Sequence, residues 1–293
     1  MPTLHAVIDG FAASREWDAA TFSRLGFWDD ALGERELTEI TPDDVDAALV
    51  ALAERGRLLP GRNRPTSRTG QPLKGSTINR YVSQLGSVYT YARRLRLIPR
   101  AFVPPTKGIE RAPEPPDPER YLMPEQVERL LKVAALVDRR WGKLPALIRL
   151  LSTTGLRIGN ALALRWRDVD LERRTLSVPR TKNGEPIVCA MPQKTVDALR
   201  KLPGRSPEAL VFGGPTGAPY NPRRLFRRAC EEAGLPQVTP HWLRHSAGYA
   251  LARAGVGQAM LMQILGHKSL ASSARYMHQS ADDKLRIADS VFG

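Results

Sequence analysis

Cysteine is scarce in this 293-residue chain: Cys189 and Cys230 are the only two, with no short metal-like spacing between them. That count excludes a disulfide framework and a cysteine zinc site. Long apolar runs are missing too. No stretch approaches the roughly 18–20 residues that a membrane-spanning helix needs, so no membrane partner is expected. The opening residues, MPTLHAVIDG, carry no basic stretch followed by an apolar core. No secretory leader is therefore expected, and the expected location is cytoplasmic. There is no phosphate-binding GxxxxGK[ST] loop and no cluster of Asp and Glu suited to two metal ions. ATP-driven and two-metal chemistry therefore have no visible carrier.

What remains is a globular chain with a large excess of one charge. Hydrophobic residues make up 42% and charged residues 25%, a normal soluble balance. The length fits two domains or one large one at roughly 100–200 residues each. Lys and Arg number 44 against 30 Asp and Glu, a formal charge of +14, and the pI is near 10.3. Such an excess points to a polyanionic partner, most commonly nucleic acid; the plainer reading is a solubilising surface. The excess is uneven. Residues 1–54 hold three basic and twelve acidic side chains, whereas residues 55–111 hold thirteen basic and one acidic, Glu110. One face turned to a polyanion and another turned away would produce that asymmetry.

Residues 57–72, RLLPGRNRPTSRTGQP, read as a basic loop without periodicity. Residues 99–118 hold seven prolines and read as an extended, fairly stiff connection. A shorter loop spans 213–222. Between the first two lies an amphipathic helix, with Ile78, Tyr81, Val82, Leu85, Val88, Tyr89, Ala92 and Leu95 at a 3.6-residue period. Ser76 or Thr77 can cap it. Its other face carries Arg80, Ser83, Gln84, Ser87, Thr90 and Arg94. It could lie in a major groove with its arginines on phosphates, or be an ordinary solvated face; the basic flanks favour DNA. Residues 1–70 carry no recognisable motif.

The second half reads as mainly helical with one short sheet. Helices are expected at 124–137, 144–152, 160–165, 193–201, 222–233, 240–254, 258–265, 269–277 and 282–291. Short strands are expected at 175–179 and 186–191, around Arg180-Thr181-Lys182-Asn183-Gly184, where Asn-Gly is a strong hairpin signal.

Four of the five histidines fall between positions 241 and 278. Thr239-Pro240-His241-Trp242-Leu243-Arg244-His245 reads as a helix start, Thr239 capping and Pro240 in the first turn. His241 and Arg244 then share a face at an end that already favours anions. His241 and His245, one turn apart, could instead bind zinc or pack in a core. The zinc-protease pattern needs Glu after the first His, where this chain has Trp242. Leu265-Gly266-His267 ends another helix, and Tyr276 follows nine residues after His267. Far upstream, Thr154-Gly155-Leu156-Arg157 sets an arginine in a turn before a helix. Singly each signal is weak, since a lone Tyr usually packs and a lone Arg usually faces solvent.

In order, Arg157, hairpin Lys182, His241 and Arg244 of HxxRH, His267 of LGH, then Tyr276, this set resembles the tyrosine recombinase (phage-integrase) family. The resemblance runs from about residue 119 to the end and, less specifically, covers the helix near 79–97. It implies a mainly α fold with a small antiparallel β-sheet. A helical core-binding domain at 1–110, a Pro-rich linker at 111–118 and a mixed α/β catalytic domain at 119–293 would form a clamp around DNA. It implies strand cleavage through a 3′-phosphotyrosine intermediate, with Arg157, Lys182, His241, Arg244, His267 and Tyr276 as catalytic residues, no metal and no cofactor. Arg80, Ser83, Gln84, Ser87 and Arg94 are the expected DNA-binding residues. The implied partners are double-stranded DNA with specific recombination sites, a homotetramer on two such sites, and accessory directionality proteins. A nucleoid-associated integrase of a mobile element fits best. A chromosome-dimer resolvase, a type IB-like topoisomerase and a catalytically silent DNA-binding protein stand as alternatives. One departure is Asn160, three residues after the first arginine, where the family most often has an acidic residue; an amide can hold a hydrogen bond but supplies no charge. Leu285, Ala288, Val291 and Phe292 form a terminal stripe, for packing at home or, as the family suggests, for exchange with a neighbouring protomer.

Overall fold

The computed structural model describes all residues except 60–66, 69, 115–119, 140, 180–185, 205, 215, 216, 219, 267, 268, 275, 278–284, 286–288 and 290–293. The chain divides into two compact units, Met1–Asp117 and Pro118–Gly293.

The N-terminal unit is built on helices α1 (Leu4–Ala13), α2 (Ala19–Leu32), α3 (Pro42–Arg55) and α4 (Gly75–Arg94). Each of the first three starts on a side-chain cap. Thr3, Asp18 and Thr41 accept from the backbone N–H three residues on, and Asp44 returns a bond to Thr41. All three pack against α4. The core between them is aromatic: Trp28 and Tyr89 are fully buried beside Phe11, Phe27 and Tyr81. Their polar tips are tied to backbone, Trp28 Nε1 donating to Tyr81 O at 2.9 Å and Tyr89 Oη to Leu37 O at 2.9 Å.

Three expectations change here. The cap of α4 is Lys74, which makes no side-chain cap bond, and the helix begins at Gly75 rather than after Ser76 or Thr77. The basic loop at 57–72 contains a short antiparallel pair, β1 (Leu58–Leu59) with β2 (Ser67–Arg68). The first part of the Pro-rich stretch is folded onto the unit. A 3₁₀ turn at Pro105–Lys107 packs on α4, and Ile98, Pro105 and Ile109 are buried.

The C-terminal unit is helical around a three-stranded antiparallel sheet. Its elements are α5 (Pro124–Val137), α6 (Lys143–Thr154), α7 (Ile158–Ala163), β3 (Val169–Asp170), β4 (Thr175–Val178), β5 (Ile187–Ala190), α8 (Gln193–Arg200), α9 (Arg223–Glu232), α10 (Pro240–Arg253), α11 (Gln258–Leu265) and α12 (Leu270–Ala274). Helix α6 is the hub. It is buried almost all round and contacts α5, α7, α8 and α10, as a helix with apolar residues on every face must. The sheet order is β3-β4-β5, with Leu176 facing Cys189 across the central pair. Strand β3 adds an edge that the sequence reading lacked. The hairpin tip with Lys182 lies outside the described residues, as does nearly all of 282–291 with its terminal stripe. No helix among the described residues is long and apolar enough to cross a membrane.

Candidate active site

The site is assembled where two helices end and a third begins. Helix α6 stops at Gly155, which takes a left-handed φ of 66°. A side chain there would be strained by that φ, and a Cβ would collide with Leu265 Cδ2. Leu156 then plugs the core at 3% exposure, and Arg157 follows as the cap residue of α7. Helix α11 stops in the same way, at Gly266 with φ 60°.

Helix α10 runs past both ends. Its Arg244 is 3% exposed. Nη1 donates to Gly155 O at 2.6 Å and Nη2 to Leu265 O at 2.6 Å. Carbonyls at helix C-termini lack intrahelical donors and sit at the negative end of the helix dipole. They can therefore hold a buried guanidinium, but they do not neutralise it. Burial first, and the repulsion of Arg157 second, push the Arg244 pKa down to about 10; Tyr276 and Cys189 act in the opposite direction. Arg157 Nη1 is buried with no hydrogen-bond partner among the described residues. Two guanidiniums of like charge thus share one corner.

Tyr276 is 6% exposed and packs with Ala252, Leu261 and Leu265. Its ring lies directly on α10: a Cβ at Gly248 would come within 2.8 Å of Tyr276 Cζ. Its hydroxyl lies 2.7 Å from His245 Nδ1. His241, one turn earlier and exposed, meets the His245 ring edge-on at 4.5 Å between centroids. Four residues singled out from sequence, Arg157, His241, Arg244 and Tyr276, are thus connected through shared neighbours. Lys182 and His267 lie outside the described residues. His245 entered the sequence reading only as half of a helical pair; the hydroxyl-to-imidazole bond pairs residues 31 apart, and nothing in their spacing marks it. Thr239 does cap α10, but makes no side-chain cap bond.

The polar face of α4 is partly different from the one expected. Gln84 is only 9% exposed and belongs to the buried side, so it drops out of the polar face. Arg80, Ser83, Ser87 and Arg94 are exposed. The hydroxyls of Ser83, Ser87 and Thr90 each donate to the carbonyl four residues earlier, which gives the face a smooth surface of acceptor oxygens. The chain leaving the unit returns across the start of α4. Asn79 Nδ2 donates to Ala112 O at 2.9 Å and to Glu114 Oε1 at 2.6 Å, and Ala112 N donates to Asn79 Oδ1 at 2.9 Å. Arg111 Nη1 donates to Asn79 O and to Ser83 Oγ.

The comparisons with known proteins agree with one another. Residues 120–283 match the model of the phage integrase family. A tyrosine recombinase XerC of Roseiflexus castenholzii is 29% identical over 262 residues, covering 82% of this chain and 74% of the relative. The integrase of Salmonella phage P22 is 23% identical over 300 residues, covering 92% and 75%. Among solved structures, the Tn1549 transposon integrase in complex with transposon right end DNA superposes with a TM-score of 0.73 at 18% identity, covering 99% of this chain and 100% of that one. A lambda integrase dimer bound to a COC′ core site gives 0.65 at 19%, covering 94% and 77%.

Proposed function

The chain belongs to the phage integrase family, the tyrosine recombinases, and from that premise we propose that it is a site-specific DNA recombinase that cuts and rejoins strands through a 3′-phosphotyrosine link. The observation that carries the reading is the corner between Arg157, Arg244 and Tyr276. A buried phenol hydroxyl is held on the helix that also bears His241 and Arg244, and Arg157 brings to Arg244 a guanidinium end with no partner among the described residues. An anionic oxygen entering there would supply the missing acceptor, which buried donors normally have.

In this mechanism Arg157 and Arg244 grip the non-bridging oxygens of one phosphodiester. Guanidinium suits this because its planar fork donates paired bonds and stays charged. His241 donates from the N-terminal turn of α10. Tyr276 Oη attacks phosphorus. An ordinary phenol has a pKa of about 10 and is mostly protonated at neutral pH, so the surrounding cations matter by favouring the phenolate. Phosphoryl transfer depends on positioning and on stabilising charge that spreads over the phosphate oxygens. Lys182 at the hairpin tip protonates the leaving 5′-oxygen, and His267 adds a further donor. One ester replaces another, so the bond energy is kept and no ATP is consumed; the arginines supply the charge that a metal supplies elsewhere.

We assign the DNA-facing role of the N-terminal unit to α4, through Arg80, Ser83, Ser87 and Arg94, with Arg111 beside them. Residues 1–110 would form the body of the core-binding domain and 119–293 the catalytic domain; of the expected linker at 111–118, residues 111–114 belong with the first of these through their bonds to Asn79 and Ser83. Four protomers on two sites, in a nucleoid-associated integrase of a mobile element, complete the proposal. Its test is covalent capture. The protein is mixed with genomic and randomised DNA in EDTA without ATP, stopped with SDS, and the attached DNA is sequenced. A recurrent sequence joined to wild type and absent with Tyr276→Phe is expected. Attachment without sequence preference would turn the reading towards a topoisomerase, and no attachment in the presence of tight binding would turn it towards a silent DNA-binding protein.

A further inference from the structure

We propose that His245, rather than His241, is the catalytic group that takes the proton from Tyr276 as the phenol attacks DNA. The inference rests on the preceding assignment of Tyr276 as nucleophile and adds a residue to it.

Geometry comes first. A general base must lie within about 2.6–3.2 Å of the atom whose proton it abstracts, and His245 Nδ1 lies 2.7 Å from Tyr276 Oη. With the ring hydrogen on Nε2, Nδ1 is an acceptor for the phenol proton. Both rings are held. The His245 ring stands at 83° to that of His241, and the Tyr276 ring rests on the bare backbone of Gly248, with no room there for a Cβ. Position on the helix separates the two histidines. His241 is exposed in the first turn of α10, where free N–H groups favour an anion. His245 is half-buried one turn deeper, against the nucleophile. The first therefore suits a phosphate oxygen and the second the phenol.

The step balances. The Tyr276 Oη–P bond forms and the P–O5′ bond breaks. The phenol proton moves to His245 Nδ1, and the 5′-oxygen receives a different proton from the general acid. On rejoining, the His245 imidazolium returns its proton to Tyr276 Oη. Arg244 and Arg157 oppose a third cation in this corner, and the bound phosphodiester supplies the negative charge that offsets them.

The experiment measures the rate of covalent adduct formation by the full chain on the captured DNA, with and without added imidazole. The enzymes are wild type, His245→Ala, His245→Gln, His241→Ala and Tyr276→Phe. Loss of one proton transfer should slow His245→Ala by about 10²–10⁴-fold. Imidazole should restore that variant and should not restore His241→Ala. His245→Gln keeps a hydrogen-bonding side chain of similar reach but cannot take the proton, so it should be as slow as His245→Ala. It also carries the test if the alanine variant loses DNA binding through misfolding. A wild-type rate in His245→Gln, or faster adduct formation in His245→Ala, would show a tether and overturn the proposal, as would imidazole rescue of His241→Ala alone. An adduct formed by Tyr276→Phe would instead remove the nucleophile assignment beneath it.

Discussion

In the N-terminal unit, Trp28, Tyr89 and Tyr91 bury aromatic bodies and tie each polar tip to a backbone carbonyl of another element, at Tyr81, Leu37 and Gly10 respectively. The core of the C-terminal unit is instead dominated by leucine and other aliphatic side chains, and two arginines meet in one of its corners. There a guanidinium is held by two helix-end carbonyls, and a second has a buried N–H end without a partner among the described residues. The first arrangement is what stability alone favours, because a satisfied buried donor costs little. The second is what stability disfavours, because a buried charge without a counter-charge is expensive. The difference teaches where to look for chemistry: guanidinium N–H groups buried without a partner among the described residues occur in both units, at Arg55, Arg93 and Arg157, but Arg157 also faces a second buried guanidinium, Arg244, and that meeting of like charges marks the corner suited to an anion.

That contrast can be broken by experiment. The largest effect is expected from Tyr276→Phe, which should lower covalent adduct by at least about 10³-fold, the scale of losing a nucleophile. Filter binding should find DNA affinity nearly unchanged; a parallel loss of affinity would mean that the residue serves packing. Next, Trp28→Ala should cost about 3–5 kcal/mol of unfolding free energy, read by denaturant titration. A cost under about 1 kcal/mol would show that the aromatic frame is not the source of that unit's stability. Third, Arg157→Met should slow adduct formation by about 10²–10³-fold, as removal of one charge-stabilising donor does. The unfolding midpoint should hold or rise slightly, because the variant removes a buried donor that has no partner among the described residues. Clear destabilisation would place Arg157 among the structural residues and dissolve the contrast.

Smaller effects sharpen it. The folded Arg244 pKa of about 10 lies below the ordinary guanidinium value. The folded state therefore releases this proton first as pH rises. Stability contributed at Arg244 is depressed below its folded pKa and recovers as pH climbs through it. The unfolding free energy of wild type relative to Arg244→Met should accordingly move in favour of wild type between about pH 9 and 11; movement the other way would contradict the assigned sign. The smallest effect concerns the thiols. Burial raises Cys189 to about 11 and Cys230 to about 12, and both lie in the C-terminal unit. A thiol reagent at about pH 8 should label them only as fast as that unit opens, since the thiolate is the reactive form. Trp28→Ala should leave the labelling rate unchanged.

How much of this was legible in the sequence depends on the kind of interaction. Helices α5 and α11 begin and end at the expected residues, 124–137 and 258–265, because a proline start or a terminal glycine adjoins a clear apolar period. The four candidate catalytic residues that the structure describes, Arg157, His241, Arg244 and Tyr276, are legible only as an ordered motif. Strand β3 was missed because it has two residues and its turn closes on Arg174 at φ 54°, a residue type without a turn signature. The burial of Gln84 was missed because helical periodicity leaves a residue at the edge of the apolar stripe undecided. The bond between His245 and Tyr276, and the hold of Asn79 on Ala112, join residues 31 and 33 apart. Their partners are chosen by tertiary geometry, and local pattern carries no trace of them.

The contact made by Asn79 has a consequence for modularity. Its amide pairs with both backbone groups of Ala112, much as a neighbouring strand would. Residues 111–114 are thereby part of what completes α4, although they lie beyond the last helical turn of the unit. Shuffling of this unit between relatives, in nature or in designed chimaeras, should succeed when the crossover falls after 114. A crossover at 110 would transplant a helix together with a buried amide whose partners were left behind in the other parent.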